Sequence, residues 1–173
     1  LAEAGISLSD VDHIALNQDS SANLSSKLAY VLKSRPGLSF LLSRFRNRGS
    51  REDAAKLLQR MLPGERVPVS IDHVEHHLAH LSSAFHVSPF ADAVVVSVDG
   101  FGDFASGAWG IGTGEQLRVE GRSLFPHSLG IFYQAITQHL GFLHYGDEYK
   151  IMGLAPYGEP RFLSQMRRIV QLK

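Results

Sequence analysis

There is no cysteine among the 173 residues. That excludes a disulfide frame and any thiolate metal site, and it fits a cytoplasmic location. There is no excess of charge either: 17 Lys and Arg stand against 17 Asp and Glu. No global field therefore draws the chain to nucleic acid or to a membrane surface. No apolar run approaches the roughly 20 residues of a membrane span, and no signal peptide opens the sequence. Internal repeats and low-complexity stretches are missing. A hydrophobic share of 44% and a charged share of 20% are those of a soluble globular protein.

The first residue is Leu1 and the last segment is the basic, helix-like "RRIVQLK". Both ends read as cut, so residues 1–173 are expected to be part of one domain, truncated at both ends. "LAEAGIS" reads as a helix end closed by Gly5, and "VDHIALN" (11–17) alternates as a short strand. From Leu24 to Leu62 the pattern is helical, with breaks at Pro36-Gly37 and Gly49-Ser50. Residues 33–60 carry eight bases against two acids, either a face that cradles phosphate or nucleic acid or a solvated helical one. "VPVSI" (67–71) is a strand and "VEHHLAHLSSAFHV" (74–87) a helix. "DAVVVSVDG" (92–100) is a short valine-rich run, predicting a strand buried on both faces near the middle of a sheet. Segments 105–112 and 115–123 form a hairpin about Thr113-Gly114. Ser128 is placed to cap a helix over 128–142, and helical pieces follow near 148–155 and 159–172. Alternating strands and helices predict an α/β domain with a mixed sheet flanked by helices.

Chemistry concentrates in "EHHLAHL" (75–81). On a helical wheel Val74, Leu78, Leu81 and Phe85 form an apolar stripe suited to packing on a sheet. His76 and His80 share another face, one turn apart, and such a pair can reach one cation. His77 lies nearer the apolar stripe and is the poorer ligand; His73, before the helix, is a candidate supporting group. The string lacks the second-position glutamate of H-E-x-x-H, so a zinc-peptidase reading has no general base. Asp99 offers a third ligand at the end of the valine-rich strand, where ligands of open α/β sheets gather; a turn residue at a strand end is the other reading. Gly100 and Gly102 give the backbone freedom to approach a ligand. Two imidazoles and a carboxylate suit iron, zinc or manganese.

"HHLAHLSSAF", "SVDGFGD", "SLGIFYQAITQHLGF" and above all "GDEYKIMGLAPYG" resemble the amino-terminal domain of carbamoyltransferases of the NodU/CmcH type, in family order across most of 67–160. The resemblance implies a partial actin/Hsp70-like (ribonuclease H-like) ATPase fold. It implies transfer of a carbamoyl group from carbamoyl phosphate, through carbamoyl adenylate made from ATP, to a hydroxyl of a small acceptor. A carboxy-terminal domain, absent here, would make the adenylate, and a further metal-binding aspartate would lie after Lys173. The family's metal histidines fall on His76 and His80 and its strand-end aspartate on Asp99. Gly130, in the first turn of the helix after Ser128, is expected near the adenylate with Gly100. Asp147, Glu148 and Lys150 are left between substrate contact and surface ion network, while Met152, Leu154 and Tyr157 are expected in the core. The alternatives are a metal- or nucleotide-binding module without catalysis, and a relative that carbamoylates tRNA or a hydrogenase maturation partner.

Overall fold

A computed structural model gives the fold and describes residues 1, 3–37, 54–64 and 70–171. The chain divides into two compact units, Leu1–Ser128 and Leu129–Lys173. The middle of the basic stretch, including Arg44, Arg46, Arg48 and Arg51, lies outside the described residues, as do 67–69 of the expected strand.

In the first unit, β1 (His13–Leu16) pairs in parallel with β2 (Ser70–His73), from His13 opposite Ser70 to Leu16 opposite His73. Helices α1 (Leu24–Ser34) and α2 (Ala54–Met61) fall between them in sequence. The amino-terminal segment forms a turn with Gly5 at φ +65°, followed by a short 3-10 helix over Leu8–Asp10, in place of the expected helix end. A second sheet is antiparallel, ordered β3-β4-β5, from β3 (Asp92–Gly102), β4 (Ala105–Thr113) and β5 (Gln116–Leu124). The class is mixed α/β, and among the described residues the strands form one small parallel sheet and one antiparallel sheet in place of the expected single mixed sheet. The histidine helix α3 (His76–Phe85) lies on one face of the antiparallel sheet.

Small residues govern that packing. Leu81, with 0% of its surface exposed, Phe85, Val95 and Ala108 form the core, with Ala93, Leu117 and Val119 packed around them. The Phe85 ring lies against Gly112, where a Cβ would run into it. The ring can thus sit close to the β4 backbone. The apolar stripe of the helix differs from the expected one: Leu81 and Phe85 are buried, Val74 and Leu78 only half-buried, and His77 takes the third core position. Its Nδ1 meets the Ser97 hydroxyl at 2.8 Å. Ser97, Ala108 and Arg122 face one another across the three strands, and the Arg122 guanidinium reaches Glu75 at 3.3 Å. Two polar side chains, Ser97 and Arg122, therefore flank Ala108 beneath the first turn of α3.

The valine-rich strand is not buried on both faces. Among the described residues β3 is an edge strand of its sheet, and β4 is the central one. Val94, Val96 and Val98 are 75%, 62% and 62% exposed on the face away from α3. The period of two puts Ala93, Val95 and Ser97 under the helix and the three valines opposite, so apolar character on both faces does not report burial on both.

In the second unit, α4 (Leu129–His139), α5 (Glu148–Leu154), a 3-10 turn (Ala155–Tyr157) and α6 (Leu163–Ile169) follow in order. Asp147 is buried and pairs with Lys150 at 2.6 Å while accepting the His144 N–H. The Lys150 ammonium beside it holds the Asp147 carboxyl below the usual range, and the carboxylate raises Lys150 in turn. Met152, Leu154 and Tyr157, expected in the core, are exposed. They sit on a seven-residue helix and a single 3-10 turn, too short to enclose a core of their own.

Candidate metal centre

Helix α3 starts where three carboxylates meet it. Glu75 is the N-cap, and its carboxylate accepts the Leu78 N–H at 2.8 Å. Burial opposes its ionisation, but the Arg122 guanidinium and that N–H outweigh the effect and hold Glu75 below the usual carboxylate range. The His76 N–H goes instead to Asp103, at 2.9 Å. Asp99 faces the histidine side chains. Negative groups are favoured at a helix amino terminus, where unpaired N–H groups concentrate positive charge.

His76 and His80 stand one helical turn apart with their rings 4.6 Å between centroids. His76 Nε2 lies 2.8 Å from Asp99 Oδ2, His80 Nε2 lies 3.5 Å from the same oxygen, and the two Nε2 atoms are 3.1 Å apart. The His76 contact, assisted by the Gly100 N–H on Asp99 Oδ1 at 2.6 Å, depresses the Asp99 pKa against the opposing effect of its partial burial. One ligand atom from each of the three residues lies within 4.8 Å of the others.

Those separations test whether a metal fits. Ligand atoms about 2.1 Å from a common ion, at angles between octahedral and tetrahedral, are roughly 3.0–3.4 Å apart. The three observed spacings bracket that range. His76 Nδ1 faces the Asn17 carbonyl at 3.3 Å, an acceptor that can only receive a proton from the ring. This leaves Nε2 as the ligating nitrogen, the arrangement in which an outer partner fixes the tautomer of a metal histidine. The donor set of two imidazoles and one carboxylate suits iron, zinc or manganese, with positions left over for substrate.

The backbone around Asp99 departs from expectation. β3 does not end there but runs on to Gly102, and its pairing with β4 is irregular between Val98 and Gly102. Asp99 therefore occupies a bulge, a common device for re-aiming a side chain. Gly102 lies directly under the His76 ring. A Cβ there would sit inside contact distance of Cγ and Cδ2, and 2.6 Å from Nε2. Ser128 closes the other side: its hydroxyl donates to the Gly100 carbonyl at 2.7 Å and to that of Asp99 at 3.3 Å. That ties the residue before α4 to the Asp99 bulge.

Of the residues singled out in sequence, His76, His80, Asp99 and Gly100 come together. Gly130 lies in the first turn of α4, in the second unit. His73 turns its Nδ1 to the Gln18 carbonyl at 2.8 Å and supports the loop after β1. His77 is fully buried under α3 and faces Ser97, away from any ligand role. Asp103 and Asn17 escaped sequence reasoning. The signal for Asp103 was available: an acid in the four residues separating two predicted strands, next to the glycine-rich turn.

Residues 1–172 of the 173 match the model of the carbamoyltransferase N-terminus. The chain belongs to this family. It is 39% identical over 166 residues to nodulation protein NolNO of Sinorhizobium fredii, covering 92% of this chain and 22% of that protein. Nodulation protein NolO of Bradyrhizobium diazoefficiens is 42% identical over 87 residues, 50% of this chain and 16% of its own length. An uncharacterized protein of Synechocystis is 48% identical over 89 residues, 51% of this chain and 14% of that one. The chain thus spans between 14% and 22% of the length of these three relatives. Among the described residues no helix is long and apolar enough to cross a membrane.

Proposed function

We propose that this chain is part of an O-carbamoyltransferase that moves a carbamoyl group from carbamoyl phosphate, by way of carbamoyl adenylate formed with ATP, to a hydroxyl of a small-molecule acceptor. The observation that carries the reading is the convergence of His76, His80 and Asp99 at ligand spacing in a chain of the carbamoyltransferase family. The antiparallel β3-β4-β5 sheet with α3 on one face supports the finer assignment to an actin/Hsp70-like fold.

In this reading His76, His80 and Asp99 hold a divalent ion, iron by family resemblance, with zinc or manganese chemically admissible. When bound, such an ion supplies Lewis-acid polarisation of a carbonyl and neutralises phosphate charge. The chain's own groups prepare the place. Asp99 stays ionised because His76 and the Gly100 N–H stabilise its carboxylate. The Asn17 carbonyl turns Nε2 of His76 inward. Gly100 gives a side-chain-free approach beside Asp99, and Gly130, at the start of α4, is assigned to the adenylate. Attack of the acceptor's hydroxyl oxygen on the carbamoyl carbon forms the new C–O bond, breaks the bond to the phosphate oxygen of AMP and releases the hydroxyl proton. Adenylate formation is assigned to sequence beyond these 173 residues.

The test uses the full-length protein with carbamoyl phosphate and ATP, following pyrophosphate release and carbamoyl adenylate by mass spectrometry. Pyrophosphate release that depends on carbamoyl phosphate, retained in His76→Ala while carbamoyl transfer is lost, is the expected outcome. No carbamoyl phosphate-dependent pyrophosphate release by the full-length protein would overturn the reading.

A further inference from the structure

We infer that Asp103 is a positioning residue for the metal centre, fixing the first turn of α3 so that His76 stands over Asp99. The inference deepens the metal reading above and rests on it.

Asp103 occupies the tip of the β3–β4 hairpin. The turn between Gly102 and Ala105 has two residues, Asp103 at φ 48° and Phe104 at φ 73°. Positive φ at both central positions is the primed turn whose twist matches the flanking strands. Aspartate tolerates that region; a phenylalanine there is an outlier. Phe104 is retained in a ring cluster: Tyr30 of α1 is 5.8 Å and Phe125 is 5.5 Å from it, centroid to centroid. The hairpin tip is thus docked on α1, not free in solvent.

From this tip a single carboxylate oxygen, Asp103 Oδ2, accepts two backbone N–H groups. One is that of His76, at 2.9 Å, and the other that of Asp19, at 2.7 Å. The Asp103 carbonyl accepts from the Asn23 side-chain amide at 2.9 Å. Three separate stretches of chain meet on one residue: the loop after β1, the start of α3, and the hairpin that also carries Asp99 and Gly102. The loop after β1 carries the Asn17 carbonyl that faces His76 Nδ1. Asp103 therefore links the backbone of His76 to the segments that hold both nitrogens of its ring.

Two features separate this role from that of a ligand or a general cap. The residues whose donor atoms converge are His76, His80 and Asp99, without Asp103. Glu75 already caps the Leu78 N–H, so α3 keeps a capping carboxylate when Asp103 is lost. What goes is the tether on the residue that bears the ligand. Removing an outer partner of a metal ligand costs roughly 10–100-fold in affinity.

The experiment compares Asp103→Gly with Asp103→Asn in the full chain. Glycine keeps the positive-φ turn without the carboxylate; asparagine keeps the turn and one acceptor oxygen without the charge. Zinc affinity is read by competition with a chromogenic chelator, and amide hydrogen exchange is read at His76 and along α3. Asp103→Gly is expected to weaken zinc binding roughly 10–100-fold and to speed exchange at His76, while Ala79 to Phe85 stay protected. Asp103→Asn is expected to stay within roughly 5-fold of the unsubstituted chain. Unchanged zinc affinity and His76 exchange in Asp103→Gly overturn the inference. So does loss of protection throughout α3 and the sheet in both variants, because Asp103 would then serve the whole fold. If the unsubstituted chain binds no zinc, the metal reading fails by itself. Asp103 is then judged on exchange at His76 alone: unchanged exchange in Asp103→Gly rejects it.

Discussion

Replacing Gly102 with alanine should abolish tight metal binding while leaving the fold nearly as stable as before. The backbone of Gly102 is outside the positive-φ region that disfavours side chains, so alanine is conformationally acceptable there. The exchange lowers the entropy lost on folding, a gain of about 0.4–1 kcal/mol. Against this, the new Cβ would sit 2.6 Å from His76 Nε2 and closer still to Cγ and Cδ2. Ordinary carbon contacts are about 3.5–4.0 Å, so the ring must retreat by roughly 1–2 Å or rotate away. The β4 backbone cannot yield as cheaply, since Ala105 faces Gly102 across the hairpin. The His76 side chain, 20% exposed, has an open side toward which the ring can rotate, and we expect the net change in stability to stay within about 1 kcal/mol. Metal–nitrogen distances tolerate only about 0.2 Å, so the displaced nitrogen no longer ligates and affinity should fall at least about 100-fold. Elemental analysis of the purified variant, paired with urea unfolding, separates the two quantities. Full metal content in Gly102→Ala would refute the reasoning, because His76 could then not be the ligand in the position described.

His77→Ala should behave in the opposite way. It leaves the ligands in place, but it empties a fully buried position and strips the Ser97 hydroxyl of its partner. A loss of about 2–4 kcal/mol in unfolding free energy is expected with metal stoichiometry unchanged below the transition; loss of metal without loss of stability would contradict it. In the second unit, the Asp147 carboxyl is held below its ordinary value by Lys150. Its contribution to stability is complete above about pH 4, the unfolded value, and disappears as pH falls through the lower folded value. Lys150→Met should therefore flatten the acid limb of the stability profile below pH 4, and an unchanged limb would show that the pair does not couple to folding. Lys150 is raised, so its own share persists below about pH 10.4 and is lost as pH rises through the folded value.

The histidine helix was legible from sequence because a 3.6-residue period separates faces: His76 and His80 fall together, with Leu81 and Phe85 on another side. The same wheel placed His77 near the apolar stripe but could not give it the core position that Val74 and Leu78 partly vacate. That assignment depends on the Ser97 hydroxyl that β3 brings beneath the helix, which no local pattern contains. The strand positions of β1, β4 and β5 were close to those read from alternation. The valine-rich β3 was misread because composition shows which faces are apolar, and only topology shows what covers them. The Asp99 bulge and the Gly102 contact with His76 are likewise tertiary: both need the helix and the hairpin to meet. Asp103 was hidden for a related reason. Its side chain serves backbone groups 27 and 84 residues away, and a backbone N–H leaves no mark in sequence.

The most direct test of the central claim is a chelator-competition titration of a divalent ion into the unsubstituted chain and into His76→Ala, His80→Ala and Asp99→Ala. One equivalent bound by the unsubstituted chain, with a loss of about 100-fold or more in each of the three variants, is the result expected from two imidazoles and one carboxylate sharing an ion. No binding by the unsubstituted chain, or equal affinity across the four proteins, would contradict it. His76, His80 and Asp99 would then be a hydrogen-bonded cluster and nothing more.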